Sequence, residues 1–471
     1  MISEIGFSNF KRFQEERLDF NRPITLLYGE NSSGKSSVLK GIASIIQTFS
    51  IMHNKYEPFV AQGEYANLGI YKDYVHNHDV SRKVTITLII PPDRWMGVMT
   101  SSVGKLDKFE VDLCYDRSPY TEQARIYSIE VFGHTDEGMR IELFRLKRAE
   151  TKSYYTLVTH VELLRRDVYA YGHRAKVSDK EIARVAKLKT KLNYVQGFTF
   201  HATDVKAEGD ISTYKIRIFD RFVSFLFNIP ESYKYLGPLR SSPSRSYTLS
   251  AASSDVGPRG ENTPSVISYL KRSGESIKLN KEAFRKILHW VDLIFPGRSI
   301  RVEDYEELVK LKVTRNSELG NGDSIQDVGF GFSQVLPIIV QVAAMGVGHV
   351  IVIEQPELHL HPRAQVAFSK FLVEACREGK RFIIETHSEH ILRGLQLAIS
   401  QNSLKPTVGL TNQDLMVYYF PSEISSSAFE IEISEEGELV YGWPAGFFDE
   451  SYNLTKEIIG NKIKKLTGET I

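Results

Sequence analysis

Two glycines, a lysine and a serine near the start of the chain have a spacing that suits phosphate binding. Gly29, Gly34, Lys35 and Ser36 fit the pattern G-x-x-x-x-G-K-[ST]. Main-chain N–H groups of such a loop, with the N-terminus of the following helix, can surround phosphate oxygens. The lysine reaches the terminal phosphates, and the serine hydroxyl is a ligand for Mg²⁺. The sequence therefore predicts binding of ATP and Mg²⁺ by these loop residues: Asn31, Ser32, Ser33, Gly34, Lys35, Ser36 and Ser37.

The residues on both sides of this loop have the order that such a site requires. The run PITLLYG, which ends at Gly29, is short and apolar, as is typical of a buried strand. The run SSVLKGIASIIQTF, which follows Lys35, has helical periodicity. The alternative is a glycine turn that precedes a lysine by chance, and the strand and helix argue against it.

A second apolar run, VIVIE, ends in one acid and is followed by a neutral amide. We predict that Glu354 binds Mg²⁺ together with Ser36, at the end of a buried strand. Many nucleotide hydrolases carry another acid at the next position, which here is Gln355. An amide can orient the attacking water but cannot accept its proton, and such assistance is typically worth about 10²–10⁴-fold. We expect firm ATP binding with slow turnover; Glu357 is the alternative catalytic acid.

The composition is that of an ordinary globular protein. The chain has 471 residues, of which 42% are hydrophobic and 25% are charged, and its formal net charge is +1. A net charge this small does not by itself indicate binding to nucleic acid or to a membrane, so any basic binding surface must be local. Two cysteines are too few for a disulfide framework. The N-terminus lacks the pattern of a signal peptide and no apolar run has the length of a membrane span, so we expect a cytoplasmic protein.

Several motifs in a fixed order resemble those of one ATPase family. NFKRF precedes the phosphate loop, and DVGFGFSQVLP, ELHLHP and RFIIETHSEHIL follow in the last third of the chain. Together they resemble the ABC-type ATPase heads of the SMC, RecF and OLD groups. The resemblance implies the α/β class: an ABC-type P-loop ATPase head with a mixed sheet, flanking helices and an antiparallel β subdomain.

The same resemblance implies roles for residues outside the phosphate loop. Lys11 and Arg12 would lie near the nucleotide, with exposed turn residues as the alternative. His387 would contact the γ-phosphate as a switch histidine. The run DVGFGFSQVLP resembles a degenerate ABC signature, and Ser333 stands at its serine. Ser333 would complete the ATP site of a second copy, which implies a head-to-head dimer or a larger ring. A transition-metal site is the alternative for the clustered histidines and the glutamate beside them: Glu357, His359, His361, His387 and His390.

Four parts can be distinguished along the chain. Runs of β type such as KFEVDLCY place an antiparallel subdomain within an N-terminal ATPase lobe over 1–160. A helical insertion is expected over 161–234, a C-terminal ATPase lobe over 235–420 and a short tail domain over 421–471. Four cations of the insertion share one face of the expected helix. They would contact DNA phosphates, unless the helix is only a solvated amphipathic one: Lys180, Arg184, Lys187 and Lys191.

The tail sequence GWPAGFFDE resembles one branch of the OLD-like bacterial ATPases. The segment after His387 is too short for a Toprim nuclease domain, so none is expected. The branch includes the ATPase subunits of anti-phage systems such as Septu and Paris, which hold a separately encoded effector, usually a nuclease. The resemblance therefore implies a nucleotide-gated scaffold or sensor for such an effector. The alternatives are a RecF-like DNA-repair ATPase and a sensor that does not hydrolyse ATP.

Overall fold

The structure is a computed structural model. It describes residues 1–50, 57–92, 103–148, 155–160, 187–190, 192–196, 199–202, 222, 224–249, 254–305, 307–315, 322–404, 409–423, 426–442, 444, 454 and 456–459.

The strands of the described residues are numbered in chain order. They are β1 (Glu4–Phe10), β2 (Phe13–Asp19), β3 (Ile24–Gly29), β4 (Val84–Ile90), β5 (Leu106–Arg117), β6 (Ala124–Thr135), β7 (Arg140–Arg148), β8 (Tyr155–Thr159), β9 (Lys187–Thr190), β10 (Leu192–Gln196), β11 (Thr199–Ala202), β12 (Tyr233–Leu236), β13 (Tyr247–Thr248), β14 (Arg298–Tyr305), β15 (Leu308–Arg315), β16 (Asp323–Ser324), β17 (Val350–Glu354), β18 (Arg381–Glu385), β19 (Leu415–Phe420) and β20 (Phe429–Glu430).

The α-helices are numbered in the same way. They are α1 (Lys35–Phe49), α2 (Tyr71–Tyr74), α3 (Thr263–Ser273), α4 (Lys278–Ile294), α5 (Phe330–Ala344), α6 (Pro362–Arg377) and α7 (Glu389–Leu404). Single 3₁₀ turns cover His76–His78, Ile229–Ser232, Ile325–Asp327 and Asn412–Asp414.

A six-stranded mixed sheet forms the centre of the fold, in the order β12-β17-β18-β3-β19-β20. All neighbours pair in parallel except β19 and β20, which are antiparallel. The strands β3, β17 and β19 are buried along their whole length, so both faces of the sheet are covered. Continuous apolar runs such as VIVI form these strands because a parallel sheet buried on both faces has no solvent side.

An eight-stranded antiparallel sheet packs beside the central one, in the order β2-β1-β4-β5-β6-β7-β8-β9. Its strands alternate buried and less buried residues, as in β4 and β5, because one face only is packed. The predicted combination of a mixed sheet, flanking helices and an antiparallel β subdomain is therefore confirmed.

Two hydrophobic cores lie on opposite faces of the central sheet. Val350 and Val352 of β17 belong to the core that contains α1 and the antiparallel sheet. Ile351 and Ile353 belong to the other core, which contains helices α3 to α7. Alternate side chains of one strand point to opposite faces, so each central strand joins the two cores. The layers are thus the antiparallel sheet with α1, the central sheet, and the helices.

The helix that would carry the four cations, part of the insertion expected over 161–234, is wrong where the structure describes it. Lys187 and Leu188 lie in strand β9, which pairs with β8, and Leu192 begins strand β10. In a strand successive side chains alternate between faces, so Lys187 does not lie on the predicted helical stripe. The run KLKTKLNYV is compatible with either period, and pairing with β8 favours the strand. Lys180, Arg184 and Lys191 lie outside the described residues.

The tail is described in part. Strand β20 adds to the central sheet, and Ile433 and Leu439 form an isolated β-bridge. Of the motif WPAGFFDE only Pro444 lies within the described residues. In the described portion of the chain, none of the helices has both the length and the apolar character for crossing a membrane.

Candidate functional site

The carboxyl ends of four parallel strands bring the functional segments to one edge of the central sheet. Glu354 at the end of β17 lies in register with Glu385 at the end of β18. Strand β18 also pairs with β3, which leads into the phosphate loop at Gly29. Strand β12 lies on the far side of β17 and leads to Arg240. Crevices at the carboxyl ends of parallel strands are where such sheets bind ligands.

The phosphate loop has the backbone that its glycines were expected to allow. Gly29 has φ 143° and Gly34 has φ 106°, both in a region that favours glycine. A Cβ atom on Gly34 would lie 2.7 Å from Cδ of Arg12 and from Cζ of Phe13. Helix α1 begins at Lys35, immediately after the loop, so its N-terminus lies at the loop. This strand, loop and helix are the arrangement predicted from the spacing.

The ammonium group of Lys35 lies inside the loop. Its Nζ donates to the main-chain oxygens of Gly29, at 2.8 Å, and of Glu30, at 2.6 Å. The side chain is buried, and desolvation lowers its pKa, while the charges of Glu385 and Glu30 oppose that change. Phosphate oxygens can replace the two carbonyls as acceptors, because all are hydrogen-bond acceptors for one cation.

The other loop residues differ in exposure. Asn31 and Ser32 are exposed, whereas Ser33 is buried, with its hydroxyl 3.5 Å from Nζ of Lys35. The N–H of Ser37 donates to Gly34 in the first turn of α1. These positions agree with a loop whose outer side is open to a ligand.

The hydroxyl of Ser36 contacts an acid other than the one predicted from the sequence. Ser36 Oγ donates to Oε1 of Glu385 at 2.9 Å, whereas Glu354 was the expected companion. Glu385 is 3% exposed, and its Oε2 is buried without a hydrogen-bond partner. Burial, followed by the charge of Glu354, raises the pKa of Glu385 to about 7. The signal was present in the sequence, since RFIIE also ends an apolar run with an acid.

Glu354 lies in the same cluster with different partners. Its carboxylate accepts a hydrogen bond from the hydroxyl of Tyr235, at the end of β12. Its main-chain oxygen accepts from Nη2 of Arg240 at 2.8 Å. Burial raises the pKa of Glu354, and the bond from Tyr235 and the charges of Lys40 and Arg240 oppose that shift. Glu354 is therefore held towards β12, on the side of its strand away from the phosphate loop.

Arg240 is a buried cation whose place in the site the sequence analysis missed. Only 6% of the residue is exposed, and Nε and Nη1 are buried without hydrogen-bond partners. Desolvation lowers its pKa to about 10, opposed first by the charge of Glu357 and then by that of Glu354. Arg240 ends the run GPLR, whose glycine and proline indicate only a loop. Burial beside two acids could not be inferred from that loop composition.

Glu357 holds the segment that carries the predicted switch histidine. Its two carboxylate oxygens accept from the N–H of His387, at 2.7 Å, and from the hydroxyl of Thr386, at 2.8 Å. Burial raises the pKa of Glu357. Desolvation and then the charge of Lys35 lower the pKa of His387. The structure thus brings Glu357 and His387 together at the predicted edge.

Gln355 begins the turn that follows strand β17. Its N–H donates to the main-chain oxygen of Glu385 at 2.8 Å, and its φ is 45°. A positive φ in a residue with a side chain is strained, and such strain is common at ligand sites. The backbone of Gln355 is therefore fixed at the sheet edge beside both acids.

Lys11 and Arg12 have separate environments, although both are predicted to lie near the nucleotide. Nη1 of Arg12 lies 3.5 Å from the main-chain oxygen of Ser32, and Nη2 donates to that of Glu423. Nζ of Lys11 donates to the main-chain oxygen of Asp73 at 3.1 Å. Arg12 therefore borders the phosphate loop, while Lys11 is turned towards helix α2.

Ser333 lies in the first turn of the signature helix α5. Its hydroxyl donates to the main-chain oxygen of Phe330 at 2.7 Å, and the side chain is mostly buried. The ring of Phe330 meets that of His359 edge-on, with centroids 4.9 Å apart. The N-terminus of α5 thus packs on the turn after β17. The predicted contact of Ser333 with ATP of a second copy stays a prediction.

The described residues contain no group of three or more His, Cys, Asp and Glu side chains that could hold a metal ion. His361 has a structural contact, since its Nδ1 accepts from the N–H of Arg363 at the start of α6. Mg²⁺ with a nucleotide needs few protein ligands, because phosphates and waters supply the others. The oxygen atoms of Ser36 and the unpartnered Oε2 of Glu385 are of the type that Mg²⁺ prefers, so these residues fit that ion.

Three segments of the chain match known protein families. Residues 258–392 match the family described as "AAA ATPase domain", and residues 4–73 match "AAA domain". Residues 410–458 match "Protein of unknown function (DUF3696)". The first two segments contain the phosphate loop and the ends of β17 and β18. No curated protein matches the chain.

Solved structures of SMC heads align with most of the chain at low identity. The SMC head domain from Thermotoga maritima is 12% identical, with 92% of this chain and 99% of that chain covered and a TM-score of 0.34. An SMC head bound to the C-winged helix domain of ScpA is 10% identical, with 92% and 98% covered and a TM-score of 0.43. An SMC head bound to the C-terminal domain of ScpA, from Pyrococcus furiosus, is 11% identical, with 97% and 99% covered and a TM-score of 0.42.

Proposed function

The chain has the fold of an ABC-type P-loop ATPase, and we propose that it binds Mg²⁺–ATP and, when loaded, associates head to head with a second copy. Hydrolysis is slow, so that nucleotide binding sets the state of the protein. The loaded dimer then acts as a scaffold or sensor for a separate effector. The resemblance of the tail to anti-phage ATPases supports a nuclease as that effector.

One observation carries the proposal. The ammonium of Lys35 lies inside a loop whose glycines have φ values of 143° and 106°. Ser36, the next residue, directs its hydroxyl to a buried carboxylate. A buried cation, a glycine loop at a helix N-terminus and a hydroxyl of the kind that binds Mg²⁺ follow one another in the chain, and together they suit a nucleoside triphosphate with Mg²⁺.

The environment of Glu357 supports slow turnover. Both of its carboxylate oxygens already accept hydrogen bonds, from His387 and Thr386. Acting as a base towards water would require Glu357 to give up bonds of a kind worth about 1.5–3 kcal/mol each. Gln355, at the usual position of the catalytic acid, can only orient the water. The loose transition state of phosphoryl transfer tolerates this with reduced rate.

The exposed rim of the site supports association with a second copy. Leu239 is 80% exposed and precedes Arg240, and Phe330 at the start of the signature helix is 45% exposed. Exposed apolar side chains around a polar site are typical of surfaces that become covered. A second copy is the proposed occupant because the resemblance gives Ser333 a role in the ATP site of another subunit, and in the described residues the Ser333 hydroxyl bonds within its own helix turn.

The experiment is light scattering with and without Mg²⁺–ATP. Wild type should associate on addition of the nucleotide, and Lys35→Ala should not, because the phosphates lose their cation. Lys278→Ala is the matched control, since Lys278 is a highly exposed lysine on helix α4. A wild type that stays monomeric at saturating Mg²⁺–ATP would contradict the proposed association.

A further inference from the structure

We propose that Glu385, rather than Glu354, is the carboxylate that holds Mg²⁺ beside Ser36. The inference rests on the proposed function, because it concerns the metal of the same ATP site. It assigns the metal ligand to the end of strand β18 instead of the end of β17.

The contacts of Ser36 are the first support. Its hydroxyl lies 2.9 Å from Oε1 of Glu385, although the two residues are 349 positions apart in the chain. A serine that follows the loop lysine is a ligand for Mg²⁺ in sites of this kind. The hydroxyl oxygen and the carboxylate oxygen are therefore close enough to bind one Mg²⁺ ion together.

The order of strands is the second support. Strand β18 lies between β17 and β3, so Glu385 ends the strand next to the phosphate loop. Glu354 ends the strand beyond it, in register with Glu385. Neighbouring strands are about 4.8 Å apart, so Glu354 starts about that much further from the loop strand. The bond from Tyr235 holds its carboxylate still further towards β12.

The carboxylate oxygen of Glu385 that has no hydrogen-bond partner is the third support. Its Oε2 is buried and has no hydrogen-bond partner, in a residue that is 3% exposed. A buried acceptor without a partner is costly, and a carboxylate in that state is more costly than a neutral group. A divalent cation at this place would contact Oε2 and offset the repulsion between two adjacent acids. All of its ligands would be oxygen atoms, which selects Mg²⁺ over zinc.

The inference also bears on the negative charge beside Gln355. The end of β17 has one acid and one amide, but the end of β18 adds a second acid at the same edge. Glu385 binds the ion, Glu354 supports it from the β12 side, and Gln355 is left to orient water. The number of carboxylates near the ion is thereby kept at two.

The test measures ATP affinity by calorimetry, once with MgCl₂ and once with EDTA, for wild type, Glu385→Gln, Glu354→Gln and Glu389→Gln. Glutamine at 385 keeps an acceptor for Ser36 and removes a charge, so the variant should retain metal-free ATP binding. Its enhancement by Mg²⁺ should fall about 10- to 100-fold, the usual range for loss of a group that supports a metal. Glu354→Gln should lose less of the enhancement of ATP affinity by Mg²⁺. Glu389→Gln, four positions along and paired with Arg393, should resemble wild type.

The outcomes separate the inference from the proposed function. Wild type that binds no ATP overturns both. Wild type with metal-enhanced ATP binding, and Glu385→Gln with the same enhancement, overturns the inference alone. Loss of enhancement in Glu354→Gln, with Glu385→Gln unaffected, returns the ligand to β17. Glu385→Asp keeps the charge on a shorter side chain. If Mg²⁺ partly enhances ATP affinity in that variant, the loss in Glu385→Gln is due to the missing ligand and not to misfolding.

Discussion

Arg240 donates a hydrogen bond from Nη2 to the main-chain oxygen of Glu354 at 2.8 Å. The charges of Glu354 and Glu357 both act on this guanidinium, which is almost fully buried. One cation from the loop after β12 therefore balances two acids from the turn after β17. This contact joins the GPLR loop to the site.

Replacing Arg240 should destabilise the protein. Arg240→Met keeps the volume of the side chain but leaves Glu354 and Glu357 without their buried cation. We expect a loss of about 1–3 kcal/mol in the free energy of unfolding, measured by urea denaturation. Arg245→Met is the control, because Arg245 lies on the same loop in an exposed pair with Asp327. Its cost should stay below about 1 kcal/mol. Equal losses in both variants would show that Arg240 does not balance the acids.

Restoring an acid at position 355 should raise the rate of ATP hydrolysis. In Gln355→Glu the new carboxylate can accept the proton of the attacking water, and we expect a gain of about 10²–10⁴-fold. The measurement is phosphate release under saturating Mg²⁺–ATP. The comparison is Glu357→Gln, which retains one acceptor for Thr386 or His387. This variant should not change the low rate of ATP hydrolysis by a factor of that size. Brisk turnover in wild type that collapses in Glu357→Gln would assign the catalytic acid to Glu357.

Gly34→Ala should impair both folding and nucleotide binding. The backbone at Gly34 has φ 106°, and the added Cβ would lie 2.7 Å from side-chain atoms of Arg12 and Phe13. We expect a loss of stability of about 1–3 kcal/mol and weaker ATP binding, because the loop must move. Gly138→Ala is the matched control, since Gly138 has φ 80° with no atom near the new Cβ. The stability lost in Gly138→Ala comes from backbone strain alone. Equal losses of stability in Gly34→Ala and Gly138→Ala would therefore contradict a steric contribution at Gly34.

The buried carboxyl group of Glu16 should make stability depend on pH. Burial raises the pKa of Glu16, so the folded protein binds this proton more tightly than the unfolded chain does. Stability due to this group therefore falls as the pH rises from the ordinary carboxyl range, about pH 4, through the folded value. Glu16→Gln should remove that fall, and its stability relative to wild type should increase towards neutral pH in urea denaturation. Glu15→Gln, at an exposed neighbour, should follow the wild-type profile; an identical profile for Glu16→Gln would refute the prediction.

The phosphate loop could be predicted from the sequence because every part of it is local. The strand before Gly29, the two glycines and the helix after Lys35 are consecutive, so their spacing alone specifies the turn. The central strands were equally accessible, since continuous apolar runs have few other places to be buried. Glu354 was found in this way, as the acid that ends such a run.

Only the tertiary structure decided which acid meets Ser36 and which cation meets the acids. Glu385 and Arg240 are far from their partners in the chain, and strand order brings them together. Strand pairing also determined the secondary structure of the run at Lys187. The sequence of this run is compatible with both a helix and a strand, and hydrogen bonds to β8 make it a strand. Local patterns specify how a segment is buried. The neighbours it meets depend on the order of strands in the sheet, because hydrogen bonds between distant segments set that order.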